Sequence, residues 1–139
     1  LIRYTNTMTA QEIAEFAHAD QYRRDGVTPY ITHPEAVASM FEPWSLEWQV
    51  AWTHDVLEDT GLTPEWLLQN GLNESAVFIL NLLTKTKGQP YLEYIETLLP
   101  HPHAVRVKLA DMIVNLADDP SDRQKEKYLQ AFPLLLAAL

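Results

Sequence analysis

Apolar positions along the chain recur at three- and four-residue spacing, the period of a helix with one buried face. After a capping box at Thr9–Glu12 (TAQE), Ile13, Phe16, Ala17 and then Tyr22 follow at that spacing and predict a first helix. The segment HPEAVASMF, from His33, starts a second, with Pro34 where its missing N–H costs nothing. A third is expected from about Ser45 to Glu58, with Leu46, Val50 and Leu57 on its apolar face. In TPEWLLQNG, Thr63 supplies the N-cap, Pro64 follows it and Gly71 is the stop. NESAVFILNLLTK is apolar nearly all round, which predicts the central buried helix. PYLEYIETLL and PHAVRVKLADMIVNLA come next, and SDRQ at Ser121–Gln124 caps the last helix. No segment sustains a period of two and no hairpin dipeptide occurs, so the expectation is an all-α protein. The breakers, such as Gly26–Pro29, Gly88–Pro90 and Pro100–Pro102, are too short to be domain linkers, so residues 1–139 are expected to form one compact helical bundle.

Composition narrows the class. A chain of 139 residues, 47% of them hydrophobic, is long enough for a real core and argues against disorder. With no cysteine, disulfides and thiolate metal sites are excluded and no redox compartment is favoured. No apolar run reaches the roughly 18 residues of a membrane span. The first residues, LIRYTNTMT, lack the shape of a secretory signal, and because the chain opens on Leu1 its natural start is expected to be missing or altered. The net charge of −9 argues against DNA or RNA as a partner. The same field would repel a phosphate-rich small molecule unless a metal and local cations offset it.

The chemistry concentrates in THDVLEDTG, residues 53–61. His54 and Asp55 are followed by Glu58 and Asp59, and on a continuous helix Asp55, Glu58 and Asp59 share one face. Three acids near a helix C-terminus repel one another and meet the negative end of the dipole. Either a cation gathers them or they form a solvated helix end; spacing alone leaves both open. His33 opens a helix behind an aromatic and two β-branched residues, and Asp111 and Asn115 lie four apart in a strongly apolar helix. Unbound, those would be buried polar groups in need of partners. An internal pairing of Asp111 with Lys108, or of Asn115 with backbone, is the plainer alternative.

Taken together, the blocks HP, HD, EDT and KLADxxxN, in that order, resemble the HD-superfamily domain of RelA/SpoT-type guanosine tetraphosphate (ppGpp) hydrolases. The resemblance begins at AHADQYRRDGVTPYITHP, similar to that family's AHxGQxRxxGxPYxxHP, and runs to KLADMIVNL. The chain's length is most like that of the small alarmone hydrolases. The resemblance implies a helical HD-type fold with His33, His54, Asp55 and Asp111 as metal ligands. It implies Mn²⁺ as the cofactor; the mixed N/O set by itself suits Mn²⁺ or Fe²⁺. It also implies that Glu58 and Asp59 activate or orient the attacking water, that Asn115 stands near the sugar and phosphate, and that Arg23 and Arg24 precede a loop against the base. Lys108 opens the KLAD block and is assigned with these to substrate binding. The implied reaction is hydrolysis of ppGpp or pppGpp at the 3′ side to GDP or GTP and pyrophosphate, in a cytoplasmic enzyme whose partner is a small nucleotide. Oligomeric state is not legible. Two other readings stand beside it: an HD phosphatase for another nucleotide, such as an adenosine alarmone or NADPH, and a nucleotide-binding module without turnover. The intact EDT argues against the latter, since a mere binder has no need of water-activating acids.

Several positions carry second readings or depart from the pattern. Arg23 and Arg24 could instead satisfy the dipole at the end of the first helix. Lys85 and Lys87 could meet phosphates or be solvated. Asp25 stands where the family often has Ser, GVTPY is longer than GxPY, and Met112 replaces the arginine of DRxxN, a change expected to alter phosphate handling. His18 is expected to pack on the first helix or support the site, His101 and His103 to lie at the surface, and Trp44, Trp48, Trp52 and Trp66 to be core or helix-contact residues.

Overall fold

The computed structural model describes residues 7–139, so the reading of the first residues falls largely outside it. Among the described residues nine helices run in order: α1 (Ala10–Ala17), α2 (Thr32–Ala38), α3 (Leu46–Thr53), α4 (Val56–Asp59), α5 (Pro64–Gln69), α6 (Glu74–Leu83), α7 (Tyr91–Leu98), α8 (Pro102–Leu116) and α9 (Asp122–Ala137). Among the described residues the only extended pairing is an isolated bridge between Tyr22 and Pro29.

Side-chain caps set most helix starts. Thr9 forms the expected reciprocal box with Glu12, and Ser45, Thr63, Asn73 and Ser121 each accept a backbone N–H of the first turn. Gly71 ends α5 at φ +96°, and a Cβ there would lie 2.8 Å from the Thr7 methyl carbon, so only glycine fits.

The centre of the molecule is α3 with α8. Helix α3 packs against α1, α2, α6 and α8 and buries Trp48, Val50, Ala51, Trp52 and Thr53. Helix α8 contacts α2, α3, α6, α7 and α9. The expected central helix, α6, is instead one-faced: it buries Ala76, Val77, Ile79, Leu80 and Leu83 but leaves Phe78 56% exposed. Its sequence is apolar all round, but its neighbours cover only one side.

Other expectations are corrected. The predicted third helix breaks at His54–Asp55, where Asp55 (φ −100°, ψ −2°) becomes the N-cap of α4. The Thr53 hydroxyl donates to the Gln49 carbonyl at 2.8 Å, beside the break. The turn from Asp55 to Asp59 stays helical, with the Asp59 N–H on the Asp55 carbonyl at 2.9 Å, so the three acids keep their i, i+3, i+4 spacing beyond the break. Helix α1 ends at Ala17, so Arg23 and Arg24 lie beyond it and do not cap its dipole. Phe16 and Tyr22 are exposed; Phe16 stacks on Trp66 with ring centroids 5.6 Å apart. Trp48 and Trp52 are core, but Trp44 is 66% exposed at φ +72°, tilted against Trp48. Asp25 braces its own loop, accepting from the N–H groups of Val27 and Thr28 at 2.9 and 2.8 Å.

Met112 is also corrected. It is fully buried, so it fills the core and cannot replace a cation at the site. Met112→Ala is expected to lower stability by about 2–5 kcal/mol, read as a lower urea midpoint, with divalent-metal affinity retained. An unchanged midpoint with altered metal or nucleotide binding would return residue 112 to the site.

Candidate metal centre and adjoining clefts

The break after α3 brings three helices to one point. His33, in the first turn of α2, His54 and Asp55, between α3 and α4, and Asp111, mid-α8, converge although they are up to 78 positions apart in sequence. His33 Nε2 lies 2.8 Å from Asp111 Oδ1, 3.3 Å from His54 Nε2 and 3.8 Å from Asp55 Oδ2. His54 Nε2 lies 3.2 Å from Asp111 Oδ1 and 3.1 Å from Asp55 Oδ2. His33, His54 and Asp111 are buried residues and by themselves offer ligand atoms close enough to share one ion.

The surroundings fix the donors. His54 Nδ1 donates to the Ala51 carbonyl at 2.6 Å, which aims Nε2 at the cluster. Tyr30 donates its hydroxyl to Asp55 Oδ2 at 2.5 Å. Lys108 Nζ and Asn115 Nδ2 donate to Asp111 at 3.1 and 3.2 Å, and the Asn115 amide also reaches the Tyr128 hydroxyl at 3.0 Å. Thus the foreseen pairing of Asp111 with Lys108 is present within the cluster, whereas Asn115 bonds the side chains of Asp111 and Tyr128 rather than backbone. His33 Nδ1 is buried with no hydrogen-bond partner.

Two carboxylates in a dry interior need positive charge beside them. Burial alone would raise Asp111 and Asp55. For Asp111 the Lys108 ammonium and the His54 ring outweigh burial and hold it well below the carboxylate range. For Asp55 the His54 ring does so. Burial would lower His54, yet the two carboxylates hold it well above the usual imidazole range. Without an ion, then, the compensating charge comes from Lys108 and the His54 ring. A divalent ion would supply that charge and displace the proton. Two imidazole nitrogens and two carboxylates fit a borderline-to-hard ion such as Mn²⁺ or Fe²⁺.

The acids that follow separate. Glu58 lines a cleft of ≈150 Å³ together with His54, Asp55, Asp111 and Lys85, and it accepts the Lys85 backbone N–H at 2.9 Å. Asp59 is not among the residues lining that cleft; partial burial of its carboxyl, then Asp55 and Glu58, push it up to about 6. A neighbouring cleft of ≈390 Å³ is lined by Arg23, Arg24, Tyr30 and Asn115. There Arg23 donates twice to Asp118, with its guanidinium 5.7 Å from the Tyr30 ring centroid, and Arg24 donates to the Asp119 carbonyl.

Sequence reasoning missed Tyr30 and Lys127. Tyr30 stands three residues before His33, and that spacing in PYITHP could have marked it. Lys127 lines both clefts, but on α9 it is one charge among many and carried no signal. His18 is buried against Tyr30 with Nδ1 donating to the Gln21 side-chain oxygen, a supporting position as expected. His103 is exposed beside Glu47, and His101 is the partly exposed N-cap of α8. Lys87 is exposed and lines neither cleft.

No family model matches the chain. Its sequence is 31% identical over 119 residues, 77% of the chain, to a probable GTP pyrophosphokinase of Mycobacterium leprae. Over 58 residues, 40% of the chain, it is 48% identical to a guanosine-3′,5′-bis(diphosphate) 3′-pyrophosphohydrolase of Haemophilus influenzae. The chain spans 15% and 8% of the lengths of these two proteins. In fold it matches a solved metazoan ortholog of SpoT, described as hydrolysing ppGpp, with a TM-score of 0.74 at 20% identity, covering 99% of this chain and 87% of that one. The chain resembles RelA/SpoT-type enzymes in sequence and shares the HD-type helical fold. The blocks that carry the resemblance are thus those that meet at the cluster.

Removing divalent ions is expected to lower the melting temperature, and adding Mn²⁺ to restore it, because the two carboxylates lose their counter-charge. Asp55→Ala should bind no stoichiometric metal by elemental analysis; full metal content in that variant would remove Asp55 from the ligand set. Tyr30→Phe, which keeps the ring but drops the bond to Asp55, should weaken metal affinity roughly 10–100-fold by calorimetry.

Proposed function

We propose that the chain is a metal-dependent (p)ppGpp 3′-pyrophosphohydrolase, with Mn²⁺ held by His33, His54, Asp55 and Asp111. The observation that carries this reading is the buried meeting of two imidazoles and two carboxylates, with Glu58 on the wall of the adjoining cleft. The names of two relatives support it, the Haemophilus influenzae pyrophosphohydrolase and the ppGpp-hydrolysing metazoan ortholog. The mycobacterial relative is named for the opposite, synthetic reaction, but a buried N/O cluster beside a free carboxylate is suited to hydrolysis.

When bound, the ion supplies a Lewis acid and a lowered pKa for water. The chain's residues do the rest. Glu58, held by the Lys85 N–H, takes the proton of the attacking water. Asp59 lies off that cleft, its carboxyl pushed up to about 6 by burial and by Asp55 and Glu58, and the water is left to Glu58. Arg23 and Arg24 hold the base in the larger cleft, and Asn115, one turn beyond Asp111, holds the ribose between base and cluster. Lys108 keeps Asp111 ionised and faces the substrate's phosphates. Six of the chain's ten Lys and Arg residues line these two clefts, which offsets the global −9 where an anionic substrate must enter. A cytoplasmic nucleotide enzyme goes with this reading; no described helix is long and apolar enough to cross a membrane.

Incubation of ppGpp with the Mn²⁺-loaded protein should yield GDP and pyrophosphate by chromatography. Release of orthophosphate alone, or turnover of NADPH with ppGpp untouched, would overturn the substrate assignment. Glu58→Gln should keep fold and metal but lose about 10²-fold or more in kcat; near-normal turnover would make Glu58 a solvated helix-end acid. Arg23→Ala should raise KM more than it lowers kcat, since contact with a base changes little during reaction.

A further inference from the structure

We infer that Gln21 is a positioning residue: it fastens the far end of α4, the single turn that carries Glu58, to the closed loop of residues 21–30 and so sets where the general base stands. The inference rests on the hydrolase reading only for the role of Glu58.

Helix α4 does not hold itself. It has four residues, and Asp55 at its N-cap makes no side-chain cap bond. One turn gains too few internal hydrogen bonds to persist alone, and its last carbonyls need partners from outside the helix. The Thr60 hydroxyl donates back to the Val56 carbonyl at 2.6 Å. The Asp59 carbonyl accepts from Gln21 Nε2 at 3.1 Å, a bond that spans 38 positions of sequence. The start of the turn is gripped from the same loop, by the Tyr30 hydroxyl on Asp55. Gln21 and Tyr30 stand opposite each other where that loop closes. The Tyr30 N–H donates to the Gln21 carbonyl at 2.8 Å, and the Arg23 N–H to the Thr28 carbonyl at 2.7 Å. One closed loop thus holds both ends of the turn on which Glu58 stands.

The Gln21 amide has one workable orientation. A carbonyl oxygen only accepts, so the amide turns its NH₂ to Asp59 and its oxygen the other way. There Oε1 meets His18 Nδ1 at 2.7 Å, which places a hydrogen on Nδ1. His18 Nε2 is buried without a partner, and burial holds the ring below the usual imidazole range, so a neutral ring donates from Nδ1 alone. The same ring lies against Tyr30, with centroids 4.9 Å apart. Gln21 and His18 line neither cleft, so their reach to the site runs through Asp59 and Tyr30. Arg23 and Arg24 are fastened separately, to Asp118 and to the Asp119 carbonyl. Breaking the Gln21 bond therefore loosens Glu58 and leaves the arginines in place.

Steady-state kinetics of the full chain, Mn²⁺-loaded, with ppGpp test the assignment. Gln21→Met keeps the length and neutrality of the side chain but neither hydrogen bond. It should lower kcat about tenfold with KM nearly unchanged, the reverse of Arg23→Ala. In a Glu58→Gln background the same change should lower kcat less than about twofold, because the base whose place it sets is gone. His18→Asn, whose amide N–H stands where the Nδ1–H stood, should keep kcat near wild type, whereas His18→Leu should match Gln21→Met. Wild-type kcat in Gln21→Met, a rise in KM alone, an equal loss in both backgrounds, or equal kcat in the two His18 variants would overturn the proposal. Hydrogen–deuterium exchange reads the bond without turnover. The Asp59 and Thr60 amides, which donate to the Asp55 and Val56 carbonyls, should exchange faster in Gln21→Met, with α9 unchanged. If the wild type leaves ppGpp intact while those two amides loosen in Gln21→Met, the hydrolase reading fails and Gln21 still holds the turn. If ppGpp is hydrolysed and neither kcat nor exchange responds to Gln21→Met, the inference alone falls.

Discussion

Asp55 and Asp111 meet two imidazoles in the interior of the bundle, and most of the surrounding structure answers the charge they bring. Carboxylates taken out of water cost several kcal/mol each unless positive charge and hydrogen bonds replace the lost solvent. Lys108, Asn115 and Tyr30 each donate to one of them, and His54 bridges both. Helix α3 stops at Thr53 and α4 begins at Val56, and His54 and Asp55 turn inward together between them. The acids gathered there hold the His54 ring well above the usual imidazole range, and a divalent ion at the same point would supply that positive charge instead.

The same electrostatics shape the outer rim. The chain is strongly acidic, yet its cations are concentrated on the walls of two connected clefts. Tyr91 offers a ring face to Lys127, and Lys108 has both the Tyr94 ring and the Asp111 carboxylate beside it. In the larger cleft the opposite device is used: Arg23 and Arg24 are tied to Asp118 and the Asp119 carbonyl at the α8–α9 junction. These contacts hold the arginines beside Tyr30, whose hydroxyl reaches the cluster. Tyr30 thus joins the two clefts through a single side chain, its ring against the guanidinium and its oxygen on Asp55.

Much of this was legible along the chain because it depends on local spacing. Caps at Thr9, Thr63 and Ser121, the Gly71 stop and the three-to-four periodicity are short-range physics, and they survive folding. The polar residues inside apolar helices, His33, Asp111 and Asn115, stood out because an unpaired polar group there would be costly. Where the reading failed, the cause was tertiary. α6 looked central because every face is apolar, but burial depends on which faces neighbours cover. Met112 looked like a lost cation because DMIVN stands where the family has DRxxN, but it points about 100° away from Asp111 along the helix, into the core.

The sequence by itself determined the helical class and several cap and stop positions, because helical period and capping chemistry are local properties, and its likeness to RelA/SpoT-type enzymes singled out the polar residues that meet at the cluster. Only the tertiary structure decided that α3 breaks between His54 and Val56, that Glu58 faces the cleft while Asp59 does not, and that Tyr30 and Lys127 belong to the site. Those outcomes turn on distances between segments tens of residues apart, which packing of α2, α3, α8 and α9 sets and no local pattern encodes.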